Sequence, residues 1–254
     1  MRSRLPAIVI LGALLVAWEA YVRLSGVNPV LLPGPSRVLE QLWLFRAEAL
    51  RHAVPTLVET LLGFAISTAL ACTVAAAMDR ASLVRRALEP ILVISQTIPI
   101  VAVAPLFVLW FGFGLAPKVL VVVLVTFFPI AVALLGGFRS TQPEATDLLR
   151  SYGATPGQTF RLLRWPTALP SLFTGLRISV VYAVIGAVFG EYVGAREGLG
   201  IWMQLSQNAF RTDLVFGAIV MAAALSLALY AAVVALERTA VAWAPGIRAE
   251  GRAA

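Results

Sequence analysis

The sequence predicts an all-α membrane protein with six transmembrane helices. Of its 254 residues, 60% are hydrophobic and only 13% are charged, and a soluble chain of this size cannot cover its surface with so few charges. The charged residues bound six apolar segments, each close to or above the ~20 residues needed to cross a bilayer. The longest polar stretch, residues 139–170, separates the fourth segment from the fifth.

The bounding charges place the six spans within one domain of residues 1–254. They are predicted at about 5–24, 57–78, 90–113, 119–138, 176–193 and 214–236. The first follows Arg2 and Arg4, as a cleaved signal peptide would, but its apolar character continues without a clean cleavage site and favours an uncleaved helix. The third lies in an uncharged run from Pro90 to Pro117 that is long enough for a tilted or broken span.

The distribution of basic residues predicts the orientation in the membrane. Six spans place both termini on one side, together with the loops that follow the second and fourth spans. Thirteen of the 20 basic residues fall on that side: Arg2, Arg4, Arg80, Arg85, Arg86, Arg139, Arg150, Arg161, Arg164, Arg177, Arg238, Arg248 and Arg252. The positive-inside rule makes this side cytoplasmic, so we expect a multi-pass inner-membrane protein with residues 139–170 inside the cell.

The polar stretch begins with the signals of a short helix. Thr141 and Glu144 have the spacing of a capping box, with Pro143 in the first turn. Gly153 stands where this helix needs a left-handed C-terminal cap. Apolar residues at i, i+3, i+4 and i+7 form one stripe along the helix: Ala145, Leu148, Leu149 and Tyr152.

A second short helix follows directly. Thr155 and Gln158 have the spacing of another capping box, and Pro156 occupies the first helical position. Two short helices joined at a glycine, between two membrane spans, are suited to contact with a soluble partner.

This stretch resembles the cytoplasmic loop of binding-protein-dependent ABC importer permeases. Their pattern runs Glu-Ala-Ala, three residues, Gly, nine residues, Ile, one residue, Leu-Pro. With Gly153 in register, its Glu falls on Asp147, its Ile on Leu163 and its Leu-Pro on Trp165-Pro166. The spacing is intact, while Asp147, Leu148-Leu149 and Trp165 depart from the residue types of the pattern.

Other motifs resemble the nitrate, sulfonate and taurine branch of these permeases. They are Leu32–Ser36 (LPGPS), Gln96–Pro99 (QTIP), Trp110–Gly114 (WFGFG), Gly190–Gly194 (GEYVG) and Gly198–Gly200 (GLG). The segments 148–154 and 160–179 look closest to members for thiamine-precursor pyrimidines and riboflavin. The substrate itself stays open, because selectivity in this family rests largely with a separate binding protein.

The resemblance implies a type I importer fold with a coupling loop at residues 139–170. It further implies two permease subunits, usually identical, two ABC ATPase subunits and an extracytoplasmic binding protein. ATP-Mg would bind to the ATPase, and this chain would bind no cofactor and catalyse no reaction. ATP-driven movement of the ATPases would switch the permease between outward and inward cavities.

Seven residues are candidates for docking the ATPase. They are Glu144, Asp147, Arg150, Gly153, Phe160, Arg161 and Arg164. In this interpretation Leu148, Leu149 and Tyr152 pack on the permease itself. The alternative is an ordinary solvated loop.

The candidates for the translocation path lie in the third and fifth spans. Gln96 and Thr97, next to Pro99, either line the path or repair the helix locally. Tyr182 is a weaker candidate, and Glu191 lies either at the mouth of the path or at the membrane interface.

Three glycines of the fifth span are spaced for close helix packing. Gly186, Gly190 and Gly194 form two overlapping GxxxG steps. They fit either a permease dimer interface or packing within the chain.

The sequence lacks the motifs that several classes of enzyme and binding protein require. There is no GxxxxGK[ST], HExxH or GxSxG motif, and Lys118 is the only lysine. His52 is the only histidine, which argues against a metal cluster, and no basic run with interleaved aromatics suggests nucleic acid. Glu59 and Thr60 are expected at the interface.

The alternative function is an ion- or proton-coupled secondary transporter with Glu191 as a coupling site.

Overall fold

The computed structural model describes residues 5–95 and 97–243, and every regular element within them is helical. This confirms the all-α prediction. The helices are α1 (Leu5–Ser25), α2 (Pro35–Leu44), α3 (Arg46–Arg80), α4 (Ser82–Ser95), α5 (Ile100–Phe111), α6 (Leu115–Arg139), α7 (Pro143–Ser151), α8 (Pro156–Thr159), a π-helical turn (Phe160–Arg164), α9 (Trp165–Gly194), α10 (Leu199–Asn208) and α11 (Thr212–Ala240).

Five continuous helical segments of the described chain are long and apolar enough to cross a membrane. They are α1, α3, α6, the run Pro156–Gly194 and α11. A sixth crossing results if α4 and α5 count as one span, although their axes are bent by 101°. The predicted third span at 90–113 is therefore broken into two helices. Pro99 supplies the physical reason, because it takes the extended N-cap position of α5 and cannot donate to a continuing helix.

The central contact of the fold joins α6 and α9, which pack along most of their length. Small residues allow the close approach. A Cβ placed on Gly137 would lie 2.9 Å from the Ala168 Cα, and one on Gly186 would lie 3.3 Å from the Val122 Cα. Glycine at such positions lets two membrane helices approach to backbone contact. We call this contact the α6–α9 seam.

The helix that contributes α9 to the seam begins well before the predicted fifth span. α8, the π-helical turn and α9 form one unbroken helical run of 39 residues, Pro156–Gly194. The π-helical turn lies just before Pro166, whose ring would clash with the carbonyl of an ordinary preceding turn. The second short helix of the polar stretch is thus continuous with the fifth span. The helical run has an α7 end, at Pro156, and an α10 end, at Gly194.

The outermost helix is α1, which packs against little of its own chain. None of the residues Ile8–Ser25 is buried. It is held through α2, where the Glu19 carboxylate accepts hydrogen bonds from Ser36 N at 3.0 Å and Ser36 Oγ at 2.7 Å. Most of its apolar surface therefore remains available for lipid or another subunit.

Candidate coupling surface and buried polar cluster

The end of α7 has the geometry that its glycine predicts. Gly153 has a φ of +80°, in the left-handed region that favours glycine. Ala154 N donates to Leu149 O at 3.0 Å, and Gly153 N donates to Arg150 O at 2.9 Å. These two bonds form a Schellman motif, which satisfies carbonyls that the helix end would otherwise leave unpaired.

The two predicted capping boxes have different outcomes. At α8, Gln158 N donates to Thr155 Oγ1 at 3.3 Å and Thr155 N donates to Gln158 Oε1 at 2.8 Å, which confirms the second box. At α7 the N-cap is Gln142, with no side-chain cap hydrogen bond, so the box assigned to Thr141 and Glu144 is wrong. α7 begins one residue later than that box requires, and Pro143 at its first position needs no donor partner.

The apolar stripe of α7 is partly exposed: Leu148 and Tyr152 are open to the surface, and Ala145 and Leu149 are half-buried. No α7 residue is buried, and the exposed fractions are 57% for Leu148 and 81% for Tyr152. The prediction of packing on the permease itself is therefore wrong for Leu148 and Tyr152. We call Ala145, Leu148, Leu149 and Tyr152 the α7 face. An exposed apolar stripe of this kind is typical of a surface that another protein covers.

A cleft sets α7 and α8 apart from the end of α3. It has a volume of about 510 Å³, and its walls include Arg80, Thr146, Arg150 and Pro156. α7 is thus held mainly through its glycine turn and the start of α8, rather than by packing against the membrane helices.

The candidate docking residues divide into an exposed and an anchoring set. The exposed set is Glu144, Asp147, Arg150, Gly153 and Arg161. Asp147 and Arg150 form an open ion pair at 3.5 Å, a type of pair that contributes little to stability.

Phe160 and Arg164 belong to the anchoring set, because both turn toward the membrane helices. The Phe160 ring lies 5.5 Å from the ring of Phe138. The Arg80 guanidinium lies over the Phe160 ring, 4.4 Å from its centre. Arg164 Nη2 forms an ion pair with Asp79 Oδ1 at 2.8 Å. These two side chains fix the loop to α3 and α6, but both also line the cleft beside α7, so their docking role stays a prediction.

Of the path candidates, Tyr182 lies on an open surface. It is 49% exposed on α9 and lines a groove of about 600 Å³ between the α4–α5 break, α6 and α9. Thr97 is exposed, but its hydroxyl donates to Ile94 O at 2.8 Å, as local helix repair requires. Gln96 lies outside the described residues.

Glu191 does not line this groove and does not lie at the interface. Its side chain is fully buried, and both carboxyl oxygens are hydrogen-bonded within the subunit. Oε1 accepts from Thr56 Oγ1 at 2.5 Å, and Oε2 accepts from Gly200 N at 2.6 Å. Both sequence-based placements of Glu191 are therefore wrong.

Glu191 is part of a buried polar cluster at the α10 end. Glu59, expected at the interface, is 1% exposed and forms an ion pair with Lys118, which is 8% exposed. His52 Nδ1 accepts from Gly198 N at 3.1 Å, and the His52 ring stacks on Trp202 at 5.9 Å. We use "buried polar cluster" for His52, Thr56, Glu59, Lys118 and Glu191.

The sequence carried a signal for this cluster. His52, Thr56 and Glu59 occur at i, i+4 and i+7, which places three polar side chains on one face of α3. A polar stripe on a membrane helix faces a partner within the protein rather than lipid. Thr60, also expected at the interface, is buried as well.

The three glycines of the fifth span pack within the subunit. A Cβ on Gly186 would lie 2.8 Å from Val125 Cγ2, and one on Gly190 would lie 3.1 Å from the Lys118 Cα. A Cβ on Gly194 would lie 3.1 Å from the side chains of Phe113 and Val108. These contacts favour intrachain packing over a dimer interface.

Outside the spans, one exposed ion pair borders the cluster. Arg51 Nη2 lies 2.5 Å from Glu197 Oε1, and this hydrogen bond holds the pKa of Glu197 below its usual value. Among the described residues, no group of three or more His, Cys, Asp or Glu side chains is arranged to hold a metal ion.

Known proteins resemble this chain over most of its length. Residues 65–241 match the family described as binding-protein-dependent transport system inner membrane component. The formylaminopyrimidine transport permease protein ThiX of Halalkalibacterium halodurans is 41% identical over 231 residues, covering 91% of this chain and 92% of that protein. The riboflavin transport system permease protein RibX of Chloroflexus aurantiacus is 39% identical, with 92% and 88% covered.

More distant similarities extend the same pattern. The taurine transport system permease protein TauC of Escherichia coli is 31% identical, with 92% of this chain and 87% of that protein covered. The structure of the inward-facing MetNI methionine ABC transporter aligns with a TM-score of 0.55 at 22% identity, covering 77% of this chain and 97% of that chain. An amino acid ABC transporter with histidines aligns with a TM-score of 0.59 at 15% identity, with 79% and 96% covered. The two structures support the fold.

Proposed function

Because the chain belongs to the binding-protein-dependent inner membrane components of ABC importers, we propose that it works as one of two identical permease subunits. A pair of ABC ATPase subunits would bind ATP-Mg, and an extracytoplasmic binding protein would deliver the solute. The chain itself would bind no cofactor and would contribute contacts that differ between an outward and an inward state. The ion-coupled alternative gains no support from these relatives.

The orientation proposed for the chain places its α7 end in the cytoplasm. Thirteen basic residues lie on that side and seven on the other: Arg23, Arg37, Arg46, Arg51, Lys118, Arg196 and Arg211. An excess of basic residues on one side of a multi-pass protein marks the cytoplasmic side. A cytoplasmic ATPase would then meet α7 directly.

The exposed α7 face is the observation that carries the docking proposal. Leu148 and Tyr152 would enter an apolar groove of the ATPase, while Asp147 and Arg150 would form the polar rim. The Schellman turn at Gly153 sets the angle at which α7 meets α8. The anchoring residues Phe160 and Arg164 would then pass movement of α7 into the run Pro156–Gly194.

We propose that the groove beside Tyr182 forms part of the translocation path. The two subunits would face each other across the exposed side of α9, where Ile178 and Ile185 lie beside Tyr182. Membrane lipid would cover the remaining apolar surface, including much of α1.

The groove favours a neutral heterocycle over an anion as the solute. Its described lining contains Tyr182, Phe128 and Ser95 but no charged side chain, and Arg177, in the adjoining groove on the other side of Tyr182, is paired with Glu237. A sulfonate or nitrate would lose hydration in such a groove without a compensating charge, whereas a flat ring retains stacking and apolar contacts. We therefore place a thiamine-precursor pyrimidine or a riboflavin-like compound ahead of taurine and other sulfonates, and these ahead of nitrate.

Site-specific photocrosslinking tests the docking proposal. A photoreactive amino acid at position 152 should crosslink to the copurified ATPase. The same probe at Trp43, which is 69% exposed near the α10 end, serves as the matched control and should not. The proposal fails if position 152 reacts only with lipid or its own subunit while the ATPase remains bound.

A ligand-binding measurement tests the proposed solute class. The binding protein encoded with this chain is titrated with an aminopyrimidine, riboflavin and taurine, and its thermal stabilisation is recorded. Stabilisation by either heterocycle supports the proposal, and stabilisation by taurine alone contradicts it.

A further inference from the structure

We propose that Glu59 and Glu191 share one bound proton, and that this proton latches the turn before α10 onto α3 and α9. Neither the docking surface nor the solute groove involves these two carboxyl groups, so the inference goes beyond the proposed function. It assigns a proton-binding site to the buried polar cluster.

The buried polar cluster contains more acidic than basic side chains. Glu59 and Glu191 are 1% and 0% exposed, and Lys118 is the only buried lysine or arginine among the described residues. Two carboxylates against one ammonium leave a net negative charge in a site closed to water. An uncompensated buried charge is so costly that such a group takes up a proton instead.

Within the described residues, the neighbouring elements supply no second buried counter-charge, and Arg211, just before α11, is paired with Asp213. At this end of α3, the other titratable groups are His52, which uses Nδ1 as an acceptor for Gly198 N, the exposed Glu48 and Arg51, and Arg46, whose guanidinium lies over the Trp43 ring. In the turn, Arg196 is exposed and Glu197 is paired with Arg51. α10 has no ionisable side chain.

The hydrogen bonds around the two carboxyl groups leave one oxygen atom without a donor, and a shared proton would fill this place. Glu59 Oε1 accepts from Lys118, whereas Glu59 Oε2 is buried and receives no hydrogen bond from the described residues. Two contacts bring the Glu191 carboxyl toward Glu59: Thr56, one helical turn before Glu59, donates to Glu191, and Lys118, the partner of Glu59, packs against Gly190. A proton on Glu191 would therefore be donated to Glu59 and would satisfy the unpaired oxygen.

The Glu191 carboxyl also binds the turn before α10. Gly200 N donates to it directly, and Leu199 N donates at 2.9 Å to Thr56 Oγ1, which in turn donates to Glu191. Gly198 has a φ of +136°, and a Cβ on Gly200 would lie 2.9 Å from the Glu191 Cβ. The turn before α10 is therefore in direct contact with the Glu191 carboxyl.

Loss of the proton would place a second negative charge beneath this turn. Lifting the turn would admit water and relieve the cost, so raising the pH should loosen α10 and lowering it should hold α10 closed. The released proton goes to bulk water outside the membrane and is not carried with the solute.

Infrared spectroscopy of the full-length chain tests the bound proton itself. At neutral pH the wild-type chain should show the carbonyl band of one buried protonated carboxylic acid. Glu191→Gln and Glu59→Gln should each abolish this band, since one carboxylate then balances Lys118. Lys118→Met should double it, and the exposed Glu197→Gln should leave it unchanged. Absence of the band in the wild-type chain overturns the proposal.

Hydrogen–deuterium exchange of residues 195–208 tests the latch. Corrected for the intrinsic effect of pH, exchange in the wild-type chain should rise with pH, and in Glu191→Gln it should stay constant. Equal pH dependence in both chains overturns the latch. Neither measurement needs the ATPase, so failure here leaves the docking proposal intact, and failure of docking leaves the latch intact.

Discussion

The α7 end of the molecule exposes apolar side chains, whereas the α10 end buries charged ones. Tyr152 and Leu148 stand in the open on a short helix, while Glu59, Lys118 and Glu191 are enclosed among α3, α6 and α9. Each arrangement is costly for an isolated subunit. The docking proposal accounts for this difference: the α7 end would be completed by contacts from another chain, whereas the α10 end is completed by contacts within this one.

The largest effect on stability should come from breaking the buried ion pair. Lys118→Ala leaves Glu59 in a closed site without its counter-charge, and removing one partner of such a pair costs about 3–5 kcal/mol. Thermal unfolding of the purified chain in detergent would measure the loss. Arg51→Ala, which breaks the exposed pair with Glu197, is the control and should change the melting temperature far less. Equal shifts would contradict the difference between buried and exposed pairs.

A smaller loss of stability should come from filling the α6–α9 seam. In Gly137→Val the new side chain meets the backbone of Ala168, and overpacking of this kind costs about 1–3 kcal/mol. The neighbouring Gly136 has no atom within 4 Å of a built Cβ. Gly136→Val is therefore a matched control on the same helix, and its melting temperature should stay close to that of the wild-type chain.

At the α7 end, Gly153→Asp should impair function more than stability. A side chain in this left-handed position costs about 1 kcal/mol and disturbs the turn that sets the angle of α7. Solute uptake should fall while the amount of protein in the membrane stays the same. Gly157→Asp, at an open position without a left-handed backbone, should preserve uptake. Unchanged uptake and unchanged ATPase association in Gly153→Asp would remove the turn from the coupling mechanism.

The smallest effect on stability should come from the α7 face itself. Replacing Leu148 and Tyr152 by serine removes no internal packing, so unfolding should change by less than about 0.5 kcal/mol. Copurification of the ATPase should nevertheless fall strongly. Leu31→Ser, at a residue that is 76% exposed near the start of α2, is the control. A large loss of stability would show that the α7 face is covered by its own subunit.

Local sequence signals predicted the helical class and the turn chemistry well. The φ of Gly153 and the capping box of α8 depend on residues within a few positions of each other, so spacing alone was sufficient. The break before α5 was also readable, because Pro99 lies inside the uncharged run from Pro90 to Pro117, which is long enough for a broken span.

The sequence could not predict contacts between distant segments. A helical stripe shows which face of α7 is apolar but not what covers that face. The Glu59–Lys118 pair joins residues 59 positions apart, and their approach depends on how α3 packs against α6. The burial of Glu191 likewise depends on the turn before α10, which folds back onto it.

The unbroken helical run from Pro156 to Gly194 reaches well beyond a single membrane crossing. At about 1.5 Å per residue, its 39 residues span roughly 58 Å, almost twice the ~30 Å hydrocarbon thickness of a bilayer. Tilting such a rod by about 5° displaces one end relative to the other by about 5 Å. Because α6 packs along most of α9, the two helices would tilt together, and a movement imposed at the α8 tip would reach the side chains beside α10.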